Sequence, residues 1–451
     1  MNSSFFGDML QTIADRGRAL VARDRRPPSE QLSANLVDLC EDLLSGRGEA
    51  SGVALASEIL ARYGELTSGS RVAFFESLAA DFGPDQERLA AAIETWRAGA
   101  TDVTADAVHK AAEPRRQELL RRLNLAPGGT AALVRMREHL LDALARRDDL
   151  ATVDRDFVHM FSSWFNRGFL VLRRIDWSTP ANILERIIRY EAVHRINGWD
   201  DLRRRIDPPD RRCYAFFHPA LVDDPLIFVE VALTRDIPGA IDPILTVNGE
   251  PPEPQQPTTA VFYSISNCQR GLSGVSFGNF LIKQVAEEIA REYPKLTRFV
   301  TLSPVPGFAG WLRRELAAEA SKAIKPEDRE ALTRVETAGW WRAEPEPLKD
   351  PLLRAAAWYF LHAKTRNGGP VDPVARFHLG NGARLERINW LADLSENGLG
   401  QSHGLMVNYL YELADIEKNH EAFAQQRTIV ASSAVTKLVK TPAFDLTSLV
   451  G

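Results

Sequence analysis

The sequence predicts a chain in two parts, an all-helical N-terminal region followed by a mixed α/β domain. Two observations carry this. Apolar residues recur at helical spacing from Ser29 to about Leu172, and past Phe169 short strand-like runs begin to alternate with helical ones. A length of 451 residues is also long for one core. The expected division is 1–165 for the helical bundle, whose exposed side is a candidate oligomer interface, and 166–451 for the second domain.

In the bundle, one helix is marked by Leu32, Leu36, Leu39, Leu43 and Leu44, and a second by Leu89, Ala92, Ile93 and Trp96. A third follows from Leu119, Leu120, Leu123 and Leu125, and a fourth from Leu133, Met136, Leu140, Leu141 and Leu144. Pro27-Pro28 and Pro127-Gly128-Gly129 punctuate them. His109, His139 and His159 are singletons and read as structural or surface residues.

In the second part, Ser178-Thr179-Pro180 supplies a cap and first-turn proline for a helix through about His194. Strands are expected at Cys213–His218, Leu226–Leu233 and Ala260–Ser266, with a proline-rich loop at Asn248–Pro257. After a glycine-bearing loop comes a helix from about Val275 to Arg291, then a strand over Arg298–Leu302. Helices at Ala309–Ala320 and Leu352–Ala363 flank the charged stretch Lys322–Glu330. Strand signals return at Val374–Leu379 and Leu385–Trp390. A long final helix is expected over Gly404–Gln426.

Composition narrows the function. A net charge of −5 and a pI near 6.1 argue against a non-specific nucleic-acid binder. Cys40, Cys213 and Cys268 have neither metal spacing nor the pattern of a disulfide framework. No apolar run is long enough to span a bilayer. The N-terminus shows no signal-peptide core, and Asp8, Asp15 and Asp24 count against a mitochondrial presequence. With no S-K-L ending, the cytoplasm is the expected location.

Chemistry concentrates in three places. The loop Cys268-Gln269-Arg270-Gly271-Leu272-Ser273-Gly274 runs into a helix start, where free N–H groups and the helix dipole favour a phosphate. It also contains Gly274-Val275-Ser276-Phe277-Gly278, a match to the hydrolase nucleophile elbow. Eight residues between the strand end and Val275 are too many for that sharp turn. An ordinary αβ connection is the third reading. Ser303 follows a strand in Leu302-Ser303-Pro304-Val305-Pro306-Gly307-Phe308, held by two prolines; it serves either as a positioned hydroxyl or as a helix cap. His378, before Gly380-Asn381-Gly382, is placed at a strand end and reads as a proton-transfer group or a structural histidine. Arg387–Ser395 and Asn408–Tyr411 offer polar groups to surround such a site.

Six blocks together resemble malonyl-CoA decarboxylase: Phe262–Ser266, Gln269–Val275, Leu302–Phe308, Phe377–Ala383, Arg387–Asp393 and Gly404–Tyr409. They stand in the family's order. The resemblance implies an acetyltransferase-like second domain and conversion of malonyl-CoA to acetyl-CoA and CO2. It also implies no metal or organic cofactor and a homo-oligomer, often a tetramer; the absence of a nucleic-acid or membrane partner is expected from the charge and the apolar runs above. By the family pattern Ser303 and His378 are the catalytic serine and histidine, and Tyr411 is a tyrosine beside the histidine. Ser264 is a second serine of the substrate site. Gln269, Arg270, Gly271, Ser273, Gly274, Val275 and Ser276 form the segment meeting the coenzyme A pyrophosphate. Ser276 departs from the pattern, which has Glu there; the group that orients His378 is therefore open.

The chemistry agrees with this outline. Loss of CO2 leaves an electron pair that the thioester carbonyl takes up as an enolate, so the substrate carries its own electron sink. The protein must stabilise the enolate oxygen and deliver a proton to carbon. Two other functions fit the same residues. An acyl-CoA N-acyltransferase would need an amine acceptor, and an acyl-CoA sensor would bind without turnover.

Overall fold

A computed structural model describes residues 34–45, 48–246, 257–275 and 281–439. Residues 1–33, with Leu32 of the first expected helix among them, most of the proline-rich loop, Ser276 and the chain end lie outside the described residues.

From Ala34 to Trp164 the described chain is helical, as its periodicity predicts. Leu119, Leu120, Leu123, Leu133, Met136 and Leu140 are buried with Phe74, Phe75, Phe157 and Phe161. Oxygen caps set the helix starts: Thr67 accepts from Ser70 N–H, Asp85 from Arg88 N–H and Thr101 from Thr104 N–H. One stripe behaves differently. The helix Gln86–Ala98 forms, yet it buries none of its residues, and Trp96 is exposed. Helical spacing there reports a helix and not a core.

The chain separates into two compact units that do not follow its linear order. The first takes Met1–Val171 together with Phe216–Leu226 and Asn267–Gly278; the second takes Leu172–Ala215, Ile227–Ser266 and Asn279–Gly451. The glycine loop thus groups with the helices.

Eight strands form one mixed sheet: β1 (Val171–Ile175), β2 (Arg211–Phe217), β3 (Pro225–Thr234), β4 (Thr259–Asn267), β5 (Arg298–Thr301), β6 (Ser303–Pro304), β7 (Arg384–Asn389) and β8 (Met406–Tyr411). Their order is β1-β2-β3-β4-β5-β8-β6, with β7 also on β8. Strands β4 and β5 are parallel, with Phe262 opposite Thr301. Strand β8 runs antiparallel to β5, β6 and β7. Side chains alternate between faces along a strand. One face carries Val261, Tyr263, Val300, Leu302, Met406 and Leu410 into a shared core. The other carries Phe262, Ser264, Thr301, Ser303, Val407, Tyr409 and Tyr411, as the pairings of Phe262 with Thr301, Phe299 with Tyr411 and Ser303 with Val407 require.

Three expectations are corrected. Val374–Leu379 is not a strand; Pro373–Gly380 is a helix, with Asp372 accepting from Ala375 N–H at its cap and Pro373 in its first turn. Gly404–Gln426 is not one helix. Gly404 has φ +79°, Met406–Tyr411 is a fully buried strand, and the helix starts only at Ile416. A run buried on both faces loses the alternation that marks a strand. The helix after Pro180 ends at Tyr190 and has no side-chain cap bond. The charged stretch Lys322–Glu330 contains most of a helix, Pro326–Thr333.

Candidate active site

The helix Pro373–Gly380 sets His378 over the sheet face that holds Ser303 and Tyr411. All three are buried. His378 Nε2 lies 3.2 Å from Ser303 Oγ, and its Nδ1 lies 2.9 Å from Tyr411 Oη. Its ring stacks on Tyr409, with centroids 4.6 Å apart and planes at 26°. Ser303 Oγ donates to Thr301 Oγ1 at 2.8 Å, and Thr301 Oγ1 also accepts from Tyr409 N–H at 3.2 Å. With the Ser303 proton on Thr301, the Ser303 lone pair is left for an Nε2–H. Nδ1 is then the lone-pair nitrogen, accepting from Tyr411. This tautomer follows from the hydrogen-bond network.

Electrostatics keep the site neutral. Burial pushes His378 down to about 3, so its resting ring is uncharged. Burial raises Tyr411 well above the usual phenol range and keeps its hydroxyl protonated. Beside them Asn408 Nδ2 donates to Thr301 O at 2.8 Å, and Asn408 Oδ1 accepts from Asn389 Nδ2 at 2.8 Å and Arg387 Nε at 3.2 Å. Of the polar groups expected around the site, Asn408 is thus bonded to the end of β5, and Asn389 and Arg387 to Asn408.

Ser264 lies two residues beyond Phe262 on β4, on the same face, and Phe262 is paired with Thr301. Its hydroxyl, though, is within 2.8 Å of both oxygens of the buried Glu191 carboxylate. Glu191 also accepts from Ser266 Oγ and from the N–H groups of Val193 and His194.

The glycine loop is fastened to the helix Gly129–Leu144. Buried Arg137 donates from Nη1 to the carbonyls of Gly271 (2.8 Å) and Ser273 (2.7 Å), and from Nε to Asp154 (2.8 Å). Arg270 Nη2 donates to Glu138 O and pairs with Asp142. Gln269 Nε2 donates to Pro225 O. The N–H of Gly271 meets Glu138 Oε1, and those of Leu272, Ser273 and Val275 bond within the loop. Only the Gly274 N–H, among those of Gly271–Val275, is left without a partner among the described residues. Four of the five N–H donors of Gly271–Val275 are thus already bonded within the protein. Gly271 is required by packing, since a Cβ there would overlap Val134 O; Gly274 is required by its φ of +77°. Ser276, the last residue expected in this site, lies outside the described residues.

Sequence reasoning missed Thr301, Glu191 and Asp372. The first was findable: it sits two residues before Ser303, hence on the same face. Asp372-Pro373 was a readable helix start, and it would have put His378 on a helix. Among the described residues no group of three or more His, Cys, Asp or Glu is placed to hold a metal.

The family model for the malonyl-CoA decarboxylase C-terminal domain matches residues 168–448, and that for the N-terminal domain matches 82–165. A mitochondrial malonyl-CoA decarboxylase of Anser anser anser is 38% identical over 423 residues, covering 85% of this chain and 83% of its own length. Its counterpart from Rattus norvegicus is 35% identical, covering 97% and 92%. The crystal structure of malonyl-CoA decarboxylase from Rhodopseudomonas palustris is 60% identical with a TM-score of 0.87, covering 91% of this chain and all of that one. That from Agrobacterium vitis is 56% identical with a TM-score of 0.86, covering 90% and 100%. The expected cytoplasmic location is corrected by these relatives. The goose and rat proteins, like one from Mus musculus, are mitochondrial. Three acidic residues near an N-terminus do not carry the opposite assignment.

Proposed function

The chain belongs to the malonyl-CoA decarboxylase family, and on that premise we propose that Ser303, His378 and Tyr411 carry the conversion of malonyl-CoA to acetyl-CoA and CO2. The protein is a carboxy-lyase acting on malonyl-CoA. The observation that supports these residue roles is the buried chain Tyr411–His378–Ser303–Thr301.

The bond from Cα to the carboxylate breaks and CO2 leaves. Its electron pair moves onto Cα and into the thioester carbonyl. Ser303, a neutral donor, binds the carboxylate or the developing enolate oxygen. A lysine or arginine there would hold the carboxylate too well and stabilise the ground state. His378 then delivers a proton to Cα. Its resting ring is neutral, but the malonyl carboxylate brings a negative charge into the apolar site, and a nearby opposite charge favours the protonated imidazole. Substrate binding thus raises the ring's proton affinity when the proton is needed. In the resting ring Tyr411 donates to Nδ1 and fixes the Nε2–H toward the reacting atoms; once the ring has taken a proton from solvent, its Nδ1–H donates to Tyr411 Oη, the Nε2 proton goes to Cα and the ring returns to neutral. No outside electron sink is needed, because the thioester is one.

For the rest of the ligand, the coenzyme A pyrophosphate meets the loop at Gly274 N–H. Gln269, Arg270, Gly271 and Ser273 hold the loop in shape, and Ser264 lines the substrate site with its hydroxyl turned to Glu191. The active form is a homo-oligomer, a tetramer by family resemblance, which light scattering on a sizing column tests. The activity is tested with malonyl-CoA as the sole reactant. Acetyl-CoA and CO2 should appear in equal amounts. Tight binding of the ester with no turnover would leave the sensor reading instead.

A further inference from the structure

Tyr359 and Asp372 lie outside the reacting groups, yet they join the two segments that carry them. Tyr359, on the helix Glu346–His362, is fully buried. Its hydroxyl donates to Asp372 Oδ2 at 3.3 Å. Asp372 is itself almost fully buried, and its Oδ1 accepts from Ala375 N–H at 2.8 Å, capping the helix that bears His378. The same Tyr359 hydroxyl presses on the other segment. A Cβ added to Gly307, four residues after Ser303, would stand 2.8 Å from it. The Tyr359 ring also packs edge-on against Phe308 at 5.6 Å between centroids. Gly307 has φ −101° and ψ −7°, which alanine adopts without strain. Glycine is needed there for space, and the space is taken by one oxygen atom.

We propose that Tyr359 and Asp372 are positioning residues that hold the Ser303 turn and the His378 helix in the register at which Ser303 Oγ and His378 Nε2 meet. This rests on the roles given above to Ser303 and His378. The physical reason is that one hydroxyl touches both segments. A bond to a buried carboxylate is among the stronger hydrogen bonds, and a cap fixes where a helix begins and so where its sixth residue points. A small misplacement of acid and hydroxyl lowers turnover without changing how the remote parts of the ligand bind.

The test is kinetic and uses the full chain. Tyr359→Phe removes the oxygen and keeps the ring. Turnover at saturating malonyl-CoA should fall about tenfold or more, with coenzyme A affinity within about twofold of wild type. Asp372→Ala should behave alike, and Asp372→Asn, which can still cap the helix and bond to Tyr359, should recover most of the loss. The decisive arm is a cycle with Gly307→Ala. Its methyl group collides with the Tyr359 oxygen, so Gly307→Ala should harm turnover in the wild type and do much less harm in Tyr359→Phe. Independent, multiplicative effects would overturn the inference. So would wild-type turnover in Tyr359→Phe, or a loss matched by an equal loss of coenzyme A affinity. If Tyr359→Phe proves unstable, Gly307→Ala alone against Asp372→Asn reads the same coupling. Wild-type turnover in Ser303→Ala and His378→Ala would remove the underlying reading, a failure distinct from additivity in the cycle.

Discussion

The glycine loop and the Ser303 face differ in what their polar atoms are doing. In the loop, side chains and N–H groups are bonded to the helix Gly129–Leu144 or to the loop itself. On the Ser303 face, hydroxyls and an imidazole form a chain within an apolar setting, and the imidazole is kept neutral by burial. The loop is the more conspicuous in sequence, yet its glycines answer to packing and to a left-handed backbone. The Ser303 face is quiet in sequence, yet it holds the groups able to move a proton. Glycine reports a backbone requirement, and the requirement need not be a ligand.

The largest expected effect lies on the quiet face. His378→Ala and Ser303→Ala should each lower turnover by roughly 10²-fold or more, the order typical of acid–base and hydrogen-bonding groups. Tyr411→Phe should cost less, about tenfold, because it leaves Nδ1 without a donor but leaves the imidazole in place. Steady-state rates of acetyl-CoA formation check all three. Wild-type turnover in His378→Ala would move the chemistry elsewhere.

Smaller effects are expected in the loop, and they separate its two glycines. Gly271→Ala forces a methyl group onto Val134 O and should destabilise the protein by about 1–3 kcal/mol in a denaturant titration. Gly274→Ala has open space and only the positive φ to contend with, so roughly 1 kcal/mol is expected. Gly274→Asp adds a negative charge and should weaken coenzyme A binding by an order of magnitude or so, if one phosphate meets that N–H. Unchanged affinity in the folded variant would take the loop out of the ligand site.

The same contrast explains what was legible. Helical spacing between Leu119 and Leu144 predicted both helices and core, because one side of each helix is buried and the pattern shows it. Strand β8 failed the same test. It is buried on both faces, so Leu405, Val407 and Leu410 read as helical and Tyr411 was assigned to a helix. The His378 helix failed for another reason: eight residues give too short a window for periodicity, and the Asp372-Pro373 start had to be read by itself. The pairing of Ser303 with His378 spans 75 positions and came only through resemblance. No local pattern encodes a contact made by a sheet and a helix closing on each other. Glu191 and Tyr359 were invisible because their significance lies wholly in what they touch.

On pH, the free enzyme should show no His378 limb near 6.5 in kcat/KM. That quantity reports groups of the unliganded enzyme, and burial has pushed His378 down to about 3. The sign is clear for stability too. A histidine lowered in the fold favours the neutral ring, so its stabilisation is complete above the unfolded value and fades as pH falls from about 6.5. Asp372 is pushed up to about 6 by burial, so the profile is best taken in Asp372→Asn, where that carboxyl cannot add a limb of its own. A limb near 6.5 that persists in this background and vanishes in His378→Ala would show an imidazole far more hydrated than the buried ring described.

The smallest expected effect is none at all: no acyl-enzyme should form. The nucleophile-elbow pattern around Ser276 and the Ser303–His378 contact both invite a covalent route. A serine nucleophile needs a base and a group that stabilises that base once it is charged. Here the partner at Nδ1 is the neutral Tyr411 hydroxyl, where a triad has a carboxylate, and burial already opposes charge on the ring. The Ser303 proton is directed at Thr301 and away from His378. Decarboxylation also breaks a carbon–carbon bond with the thioester intact, so transfer of the acyl group to serine adds a step and leaves that barrier where it was. Intact-protein mass after rapid quench with malonyl-CoA should equal that of the free chain at every time point. Ser276→Ala should turn over near the wild-type rate. A serine-linked malonyl or acetyl adduct that forms and decays at the turnover rate would replace the enolate scheme with a covalent one, and Ser303→Ala would then decide which serine carries it.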